Sequence, residues 1–294
     1  MRAQRHLVRT PQRGVRTRQC GVAIVLAMGV VALAALAATG LMVSQSTWSR
    51  QVELAAGHVQ ARPMIQAGLD WSRALLSDDR RISNVDHPGE PWALRLPPIP
   101  LDNGSLAGHI EDQQGKFNLN NLLHSGKVNP AQLAHFRRLL STLDLPPALA
   151  DTLAGWIEAD NRPLVDAAEL ALVGGFDERV RARLHPFVSA LPRFTAVNAN
   201  TAPPEVLAAV VEGLGLDDAR AMVARRERAY FRNAGEFFSQ LPPGFSAPTE
   251  NISVNSDYFL ATMRVTMGGA QARGSALLWR EGAGWPAIVW RKAP

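Results

Sequence analysis

An uninterrupted apolar stretch dominates the beginning of the chain. Residues 22–43 contain no charged residue and no proline. As an α-helix, a stretch of this length extends about 33 Å, which matches the roughly 30 Å hydrocarbon core of a bilayer. The pattern therefore predicts a single membrane-spanning helix.

Apolar residues continue at helical spacing after residue 43, and Pro63 is the only strong interruption before residue 77. This predicts one helix of about 55 residues, from Val22 to near Ser77, with Pro63 as the place for a kink. Only one face of the later part is apolar, so it must pack against another element. The following residues, 86–104, are rich in proline and glycine, which predicts a linker or wrapping loop.

The remaining patterns predict an α+β domain that is interrupted by helices. A strand is expected near 106–112, followed by a turn at Gly115. Alternating apolar and polar residues from 251 onward predict three more strands, with which the lone strand must pair. Helices are expected at 130–143, 147–159, 166–173, 177–190, 203–213, 216–230 and 233–240.

These elements divide the chain into four parts. We predict a leader (1–21), a transmembrane and stalk helix (22–80), a small antiparallel α+β domain (81–116 and 251–294) and a large inserted all-helical domain (117–250).

Charge is distributed unevenly along the chain. Six arginines and no acidic residue precede Gly21, whereas the formal net charge of the whole chain is +5, so residues 22–294 carry −1. By the positive-inside rule the N-terminus is cytoplasmic and the C-terminal domain is exported to the periplasm. Bulk charge therefore does not indicate a nucleic-acid partner. The only cysteine, Cys20, leaves the exported part without a disulfide.

Residues 210–227 resemble a helix-hairpin-helix, a unit that often binds DNA phosphates at a helix N-terminus. Asp217 and Asp218 stand where a phosphate would lie, and Asp177 and Glu178 do so in a looser copy at 172–184. Carboxylates there repel an anion, so we interpret the hairpins as a scaffold for protein contacts. A membrane-tethered nucleic-acid binder remains the alternative, with a basic patch formed by Arg225, Arg226, Arg228 and Arg232.

The sequence offers no catalytic constellation. The seven histidines lack metal-ligand spacing, and neither a nucleophile elbow nor a glycine-rich phosphate loop is present. We therefore expect a protein that is not an enzyme.

The junction between the arginine-rich leader and the apolar helix resembles the class III signal of type IV pilins and type II secretion pseudopilins. The resemblance implies that prepilin peptidase cleaves between Gly21 and Val22 and methylates the new amine of Val22. An ordinary signal anchor is the alternative. The fifth mature residue is Leu26, where the major pilin pattern has a glutamate. This departure resembles the K pseudopilin, the minor subunit at the filament tip.

Three further segments are similar to the K family of type II secretion systems. The first matches at Asp112, Gly115, Asn118, Leu119, Asn120 and Leu122. The second matches at Trp156, Asp160 and Pro163, with Glu158 in place of an aspartate, and the third at Asn198, Asn200, Thr201 and Ala202.

The resemblance implies a pseudopilin fold with a SAM-like or helix-hairpin-helix-like insert, held in the inner membrane by a single pass. It also implies a role at the tip of the pseudopilus, nucleating assembly with minor pseudopilins I and J to drive export of folded proteins. Secreted cargo and the secretin are further candidate partners, and no nucleic acid is expected. A minor pilin of a type IV pilus would have the same kind of membrane segment, and this is a third interpretation of the sequence.

Some members of the K family bind calcium after the second segment. Asp160, Asn161, Asp166 and Glu169 are the oxygen-bearing candidates here, although the loop is short for an ion that takes six to eight oxygen ligands. The alternative is helix capping, with Asp166 as the cap and Glu169 three residues later.

Overall fold

The computed structural model of the chain describes residues 19–160, 162–242 and 249–292. Most of the predicted leader lies outside these residues. The chain forms two compact units, Met1–Ala56 and Gly57–Pro294. Helix α1 (Gln19–Ile82) is 64 residues long with Pro63 inside it, so it ends later than the predicted Ser77.

Five strands form an antiparallel sheet: β1 (Leu96–Leu101), β2 (Gly104–Asp112), β9 (Tyr258–Met267), β10 (Ala270–Trp279) and β11 (Ala287–Lys292). Their order across the sheet is β1-β2-β9-β10-β11. The pairing of the lone early strand with the last three is confirmed, since Ile110 lies opposite Ala261.

The expected linker contains one more strand. Strand β1 has the sequence LPPIPL and forms one edge of the sheet. Proline has no N–H to donate to a neighbouring strand, and an edge is where a sheet tolerates it. The prediction of a plain loop over 86–104 was therefore wrong for this part.

One face of the sheet packs against the second half of α1. Ile65, Leu69 and Leu76 share a core with Met263 and Val265. The approach is close: a Cβ added to Gly274 would lie 2.4 Å from Cγ2 of Ile65. The sheet is thus the partner that the one-sided apolar helix required.

The chain between β2 and β9 forms mostly helices. They are α2 (Pro130–Thr142), α3 (Leu149–Asp160), α4 (Glu178–Leu184), α5 (Pro204–Val210), α6 (Leu216–Arg226) and α7 (Ala234–Ser239). Short 3₁₀ segments lie there at Leu119–Leu122, Ala167–Leu172 and Thr249–Asn251, and one more, Pro91–Ala93, precedes β1.

Short strand pairs also occur there, so the insert is not all-helical. They are β3 (Phe117–Asn118) with β6 (Val188–Ser189), β4 (Leu123–His124) with β5 (Lys127–Val128), and β7 (Val197–Asn198) with β8 (Ile252–Ser253).

Two predicted helices need correction. The segment 166–173 is a 3₁₀ helix over Ala167–Leu172, and the helix predicted at 177–190 ends at Leu184. Strand β6 explains the second error, because Val188 and Ser189 pair in parallel with Phe117 and Asn118 instead of continuing the helix.

The insert has its own apolar core. Phe117, Phe136, Leu140, Leu153 and Leu207 lie at its centre and are almost completely buried. Ile252 and Val254, which the predicted boundary assigned to the sheet domain, contribute to the same core.

Candidate functional site

The N-terminal unit presents an apolar helical surface. Of the helices in the described part of the chain, α1 alone is long and apolar enough to cross a membrane. Val22 and Leu26 are 63% and 65% exposed. The predicted cleavage site between Gly21 and Val22 falls within α1.

The first family-like segment centres on the carboxylate of Asp112, which is buried where β2 ends. Its Oδ2 accepts hydrogen bonds from Asn198 Nδ2 at 3.0 Å, Ser256 Oγ at 2.7 Å and the Thr201 hydroxyl. Its Oδ1 accepts the Gln114 N–H at 2.8 Å. Asp112 therefore ties the end of the sheet to residues of the third segment.

Gly115 allows two of these segments to approach each other. A Cβ at this position would lie 2.7 Å from the Thr201 hydroxyl oxygen and 3.0 Å from the Thr201 carbonyl carbon. Only a residue without a side chain fits this contact.

The side chains of Asn118 and Asn120 hold neighbouring loops of the insert in place through hydrogen bonds to the loop backbone. The Nδ2 of Asn118 donates to the Arg193 carbonyl at 2.8 Å, and its Oδ1 accepts from the Leu191 N–H at 3.0 Å. The Asn120 side chain donates to the Leu164 carbonyl at 2.9 Å and accepts from the N–H of the same residue at 2.8 Å. These asparagines replace the regular hydrogen bonds that irregular backbone lacks.

The third segment is similarly structural. Asn198 is completely buried and donates to the Asp86 carbonyl at 3.1 Å and to Ser256 Oγ at 3.0 Å, in addition to Asp112. Asn200 pairs with the backbone N–H and carbonyl of Phe231 at 2.8 and 2.9 Å. Ala202 is fully buried in the insert core.

The second segment contributes packing. Trp156 is half-buried against the insert core, and Glu158 and Pro163 are exposed. The side chain of Asp160 lies outside what the structure describes.

The sequence did not reveal Arg280, the most deeply buried charge of the described residues. Its guanidinium donates to Asp79 Oδ2 at 2.9 Å, to Asp86 Oδ1, and to the Ser256 carbonyl at 2.8 Å. It also lies 4.6 Å from the ring centroid of Phe259. Because 201 positions separate Asp79 from Arg280, no local motif could have indicated this contact.

The hydrogen-bond network around Arg280 and the one around Asp112 share residues. Ser256 and Asp86 contact both the Arg280 side and the Asp112–Asn198 side. We call Asp79, Asp86, Asp112, Asn198, Ser256 and Arg280 the polar cluster. It joins the end of α1, the sheet and the base of the insert.

Burial controls the electrostatics of the polar cluster. It raises the pKa of Asp112 from 3.8 to about 6, against the effect of its hydrogen-bond donors. Burial and then Glu90 raise the pKa of Asp79 to about 6, while Arg280 opposes the shift. Since these folded pKa values exceed the unfolded one, the two groups stabilise the fold most below about pH 4, and this contribution is lost as pH rises through about 6.

The described calcium candidates have partners within the chain itself. Asp166 Oδ1 caps the 3₁₀ helix by accepting the Ala168 N–H at 2.7 Å, and Oδ2 lies 2.8 Å from Lys292 Nζ. Glu169 pairs with Arg162 at 3.1 Å. Both carboxylates form ion pairs with basic side chains of the same chain, which favours the capping interpretation for these two residues. Asn161 and the side chain of Asp160 lie outside the described residues.

The hairpin between α5 and α6 has the expected turn and charges. Gly213 adopts a positive φ of 80°, and Asp217 and Asp218 occupy the first turn of α6. In the looser copy Asp177 caps α4 by accepting the Val180 N–H at 2.8 Å. Arg226 of the candidate basic patch is half-buried and donates to the Ala199 carbonyl, so it serves the fold.

Models of type II secretion system protein K match residues 115–193 and 197–255 of this chain. The type II secretion system protein K of Pseudomonas aeruginosa is 33% identical over 291 residues, covering 86% of this chain and 86% of that protein. The chain belongs to the protein K family. The Klebsiella pneumoniae protein K is 28% identical, and the match covers 90% of this chain and 94% of that protein.

A solved structure supports the fold. The chain resembles one in the GspK-GspI-GspJ complex from the type II secretion system of enterotoxigenic Escherichia coli, with a TM-score of 0.68 and 23% identity over 85% of this chain and 99% of that one. The prediction of an α+β minor pseudopilin of type II secretion is thus confirmed. Protein K is a structural component of the secretion system, and the apolar first part of α1 has the length and composition of a single-pass membrane anchor.

Proposed function

We propose that this protein caps the pseudopilus and nucleates its assembly together with minor pseudopilins I and J. Family membership carries the proposal, and the resemblance to a chain solved in a complex with GspI and GspJ supports the choice of partners. The insert supports the tip position, since a domain of this size leaves little room for a further subunit above it.

Leu26 supports the same position. A glutamate at this place in a membrane helix needs a partner to offset the cost of its charge, such as the terminal amine of a neighbouring subunit. Leucine requires no such neighbour, and Leu26 is exposed on the helix surface.

The proposed orientation places the N-terminus in the cytoplasm and Gly57–Pro294 in the periplasm. The arginines before Gly21 support it through the positive-inside rule. The protein acts by assembly and not as an enzyme, because the buried polar groups described above serve the fold. The carboxylates at the N-termini of α4 and α6 speak against the DNA-binding alternative.

Processing should depend on prepilin peptidase. We expect mass spectrometry of the purified protein to show a chain that begins at an N-methylated Val22 when the peptidase is co-expressed, and at Met1 when it is absent. A chain that begins beyond residue 43, or one that keeps its leader with active peptidase present, would contradict the proposal.

The tip position can be tested at residue 26. We expect Leu26→Glu to reduce secretion through incorporation below the tip, while Leu26→Met, which stays apolar, retains it. The measurement is export of a secreted enzyme in a strain lacking protein K, together with co-purification of I and J. Wild-type export by Leu26→Glu would argue against a specialised tip residue.

A further inference from the structure

The sheet face opposite α1 carries unpaired arginines. Arg264 and Arg273 lie directly opposite each other on β9 and β10, so their side chains share this face. Both are exposed, and within the described part of the chain neither makes an ion pair or hydrogen bond. Like charges at directly opposed positions destabilise a sheet, so the stability of the fold does not explain why two arginines stand here.

Arg95 adds positive charge to the same part of the sheet, where it acts on the side chain of His109. His109 lies opposite Thr262, next to the arginine pair. Burial and then Arg95 hold the pKa of His109 below its ordinary value, with Arg273 and Arg264 adding to the effect against Glu111. This concentration of arginines is local, because the chain after residue 21 carries a formal charge of only −1.

A groove of about 250 Å³ lies beside the arginine pair, where the insert meets this face of the sheet. Arg273, Lys116, Ser189 and Trp290 are among its lining residues. Ser189 Oγ and Trp290 Nε1 are buried and have no hydrogen-bond partner among the described residues. Buried polar atoms in folded proteins normally have one, so these two atoms leave the wall of the groove incompletely satisfied.

We propose that this groove, with Arg264 and Arg273 at its side, binds an acidic segment of a partner protein. An arginine guanidinium pairs with a carboxylate through two parallel hydrogen bonds. The volume equals about eight water molecules, sufficient for a carboxylate side chain and its backbone.

A peptide fits the groove better than a nucleic acid does. Asp166 lines the groove, and Glu111 lies close by, 3.3 Å from Lys116. A continuous phosphate backbone would meet both carboxylates, whereas a peptide can place acidic residues only opposite the arginines. The inference goes beyond the proposed function, since it does not require the tip position.

Fluorescence anisotropy with the full chain in detergent tests the inference. The probe is a labelled octapeptide of alternating glutamate and serine, with a glutamine–serine peptide as its control. We expect the R264Q/R273Q variant to bind the acidic peptide at least about tenfold more weakly than wild type, and each single variant to lie between. All four arginine side chains exchanged here and in the control variant below are exposed, so the thermal midpoint should not fall in either variant.

The matched control is R179Q/R228Q, which removes the same charge from exposed positions on the insert. Unchanged binding by this control supports a specific site. The inference is overturned if wild type does not bind up to about 1 mM peptide, if both double variants weaken binding equally, or if R264Q/R273Q binds like wild type. A short DNA duplex that binds more tightly than the peptide and depends on the same two arginines would also overturn it, in favour of a nucleic-acid surface.

Discussion

Arg280→Met is expected to destabilise the protein by about 3–5 kcal/mol, because it leaves Asp79 and Asp86 buried without their cation. Methionine keeps much of the side-chain volume, so the loss reflects charge more than packing. For a unit of this size the thermal midpoint should fall by about 6–20 °C. Thermal unfolding of the full chain in detergent, followed by circular dichroism, measures the shift.

Two further variants separate charge from other effects. Arg179→Met removes an exposed arginine from α4 and should change the midpoint little. The triple variant D79N/D86N/R280M removes all three charges and should recover part of the loss, since no uncompensated ion remains. A single Arg280→Met variant that unfolds at the wild-type temperature would show that the polar cluster does not hold the fold together.

Local sequence patterns predicted the parts of this fold that local chemistry determines. The apolar run predicted the first part of α1, and Asn129 caps α2 through the Ala131 N–H at 3.1 Å, with Pro130 as the first helical residue. The errors arose where tertiary contacts decide. Strand β1 exists because the sheet offers its proline-rich segment an edge, and α4 stops early because β6 pairs with β3.

In the candidate site, too, local sequence identified some residues, whereas tertiary contacts determined the importance of others. The family-like segments identified Asp112 and Asn198, but their resemblance did not show what they contact. Arg280, Asp79 and Asp86 escaped notice because a charged residue in a strand or at a helix end is ordinarily exposed. Their importance arises only when the fold brings together residues that are about 200 positions apart in the chain.

Asn198→Asp should be nearly as damaging as loss of Arg280, although it changes only an amide to a carboxylate. The Nδ2 of Asn198 donates to Asp112 Oδ2 at 3.0 Å and to the Asp86 carbonyl at 3.1 Å. A carboxylate in the same place puts a second negative charge against Asp112 in a buried site. We expect a loss of about 3 kcal/mol near neutral pH, or a midpoint lower by about 6–12 °C.

The pH dependence gives this prediction its sharpest test. Two adjacent buried carboxylates raise each other's pKa, so one proton shared between them removes the repulsion. The wild-type Asp112 already has a pKa of about 6, and the variant pair should bind its first proton above that value. The deficit relative to wild type should therefore shrink as pH falls from about 8 to about 5. The control variant Asn103→Asp, at an exposed turn, should show neither the loss of stability nor its recovery at low pH. If the deficit of Asn198→Asp stays constant over this pH range, lost packing and not charge explains the damage.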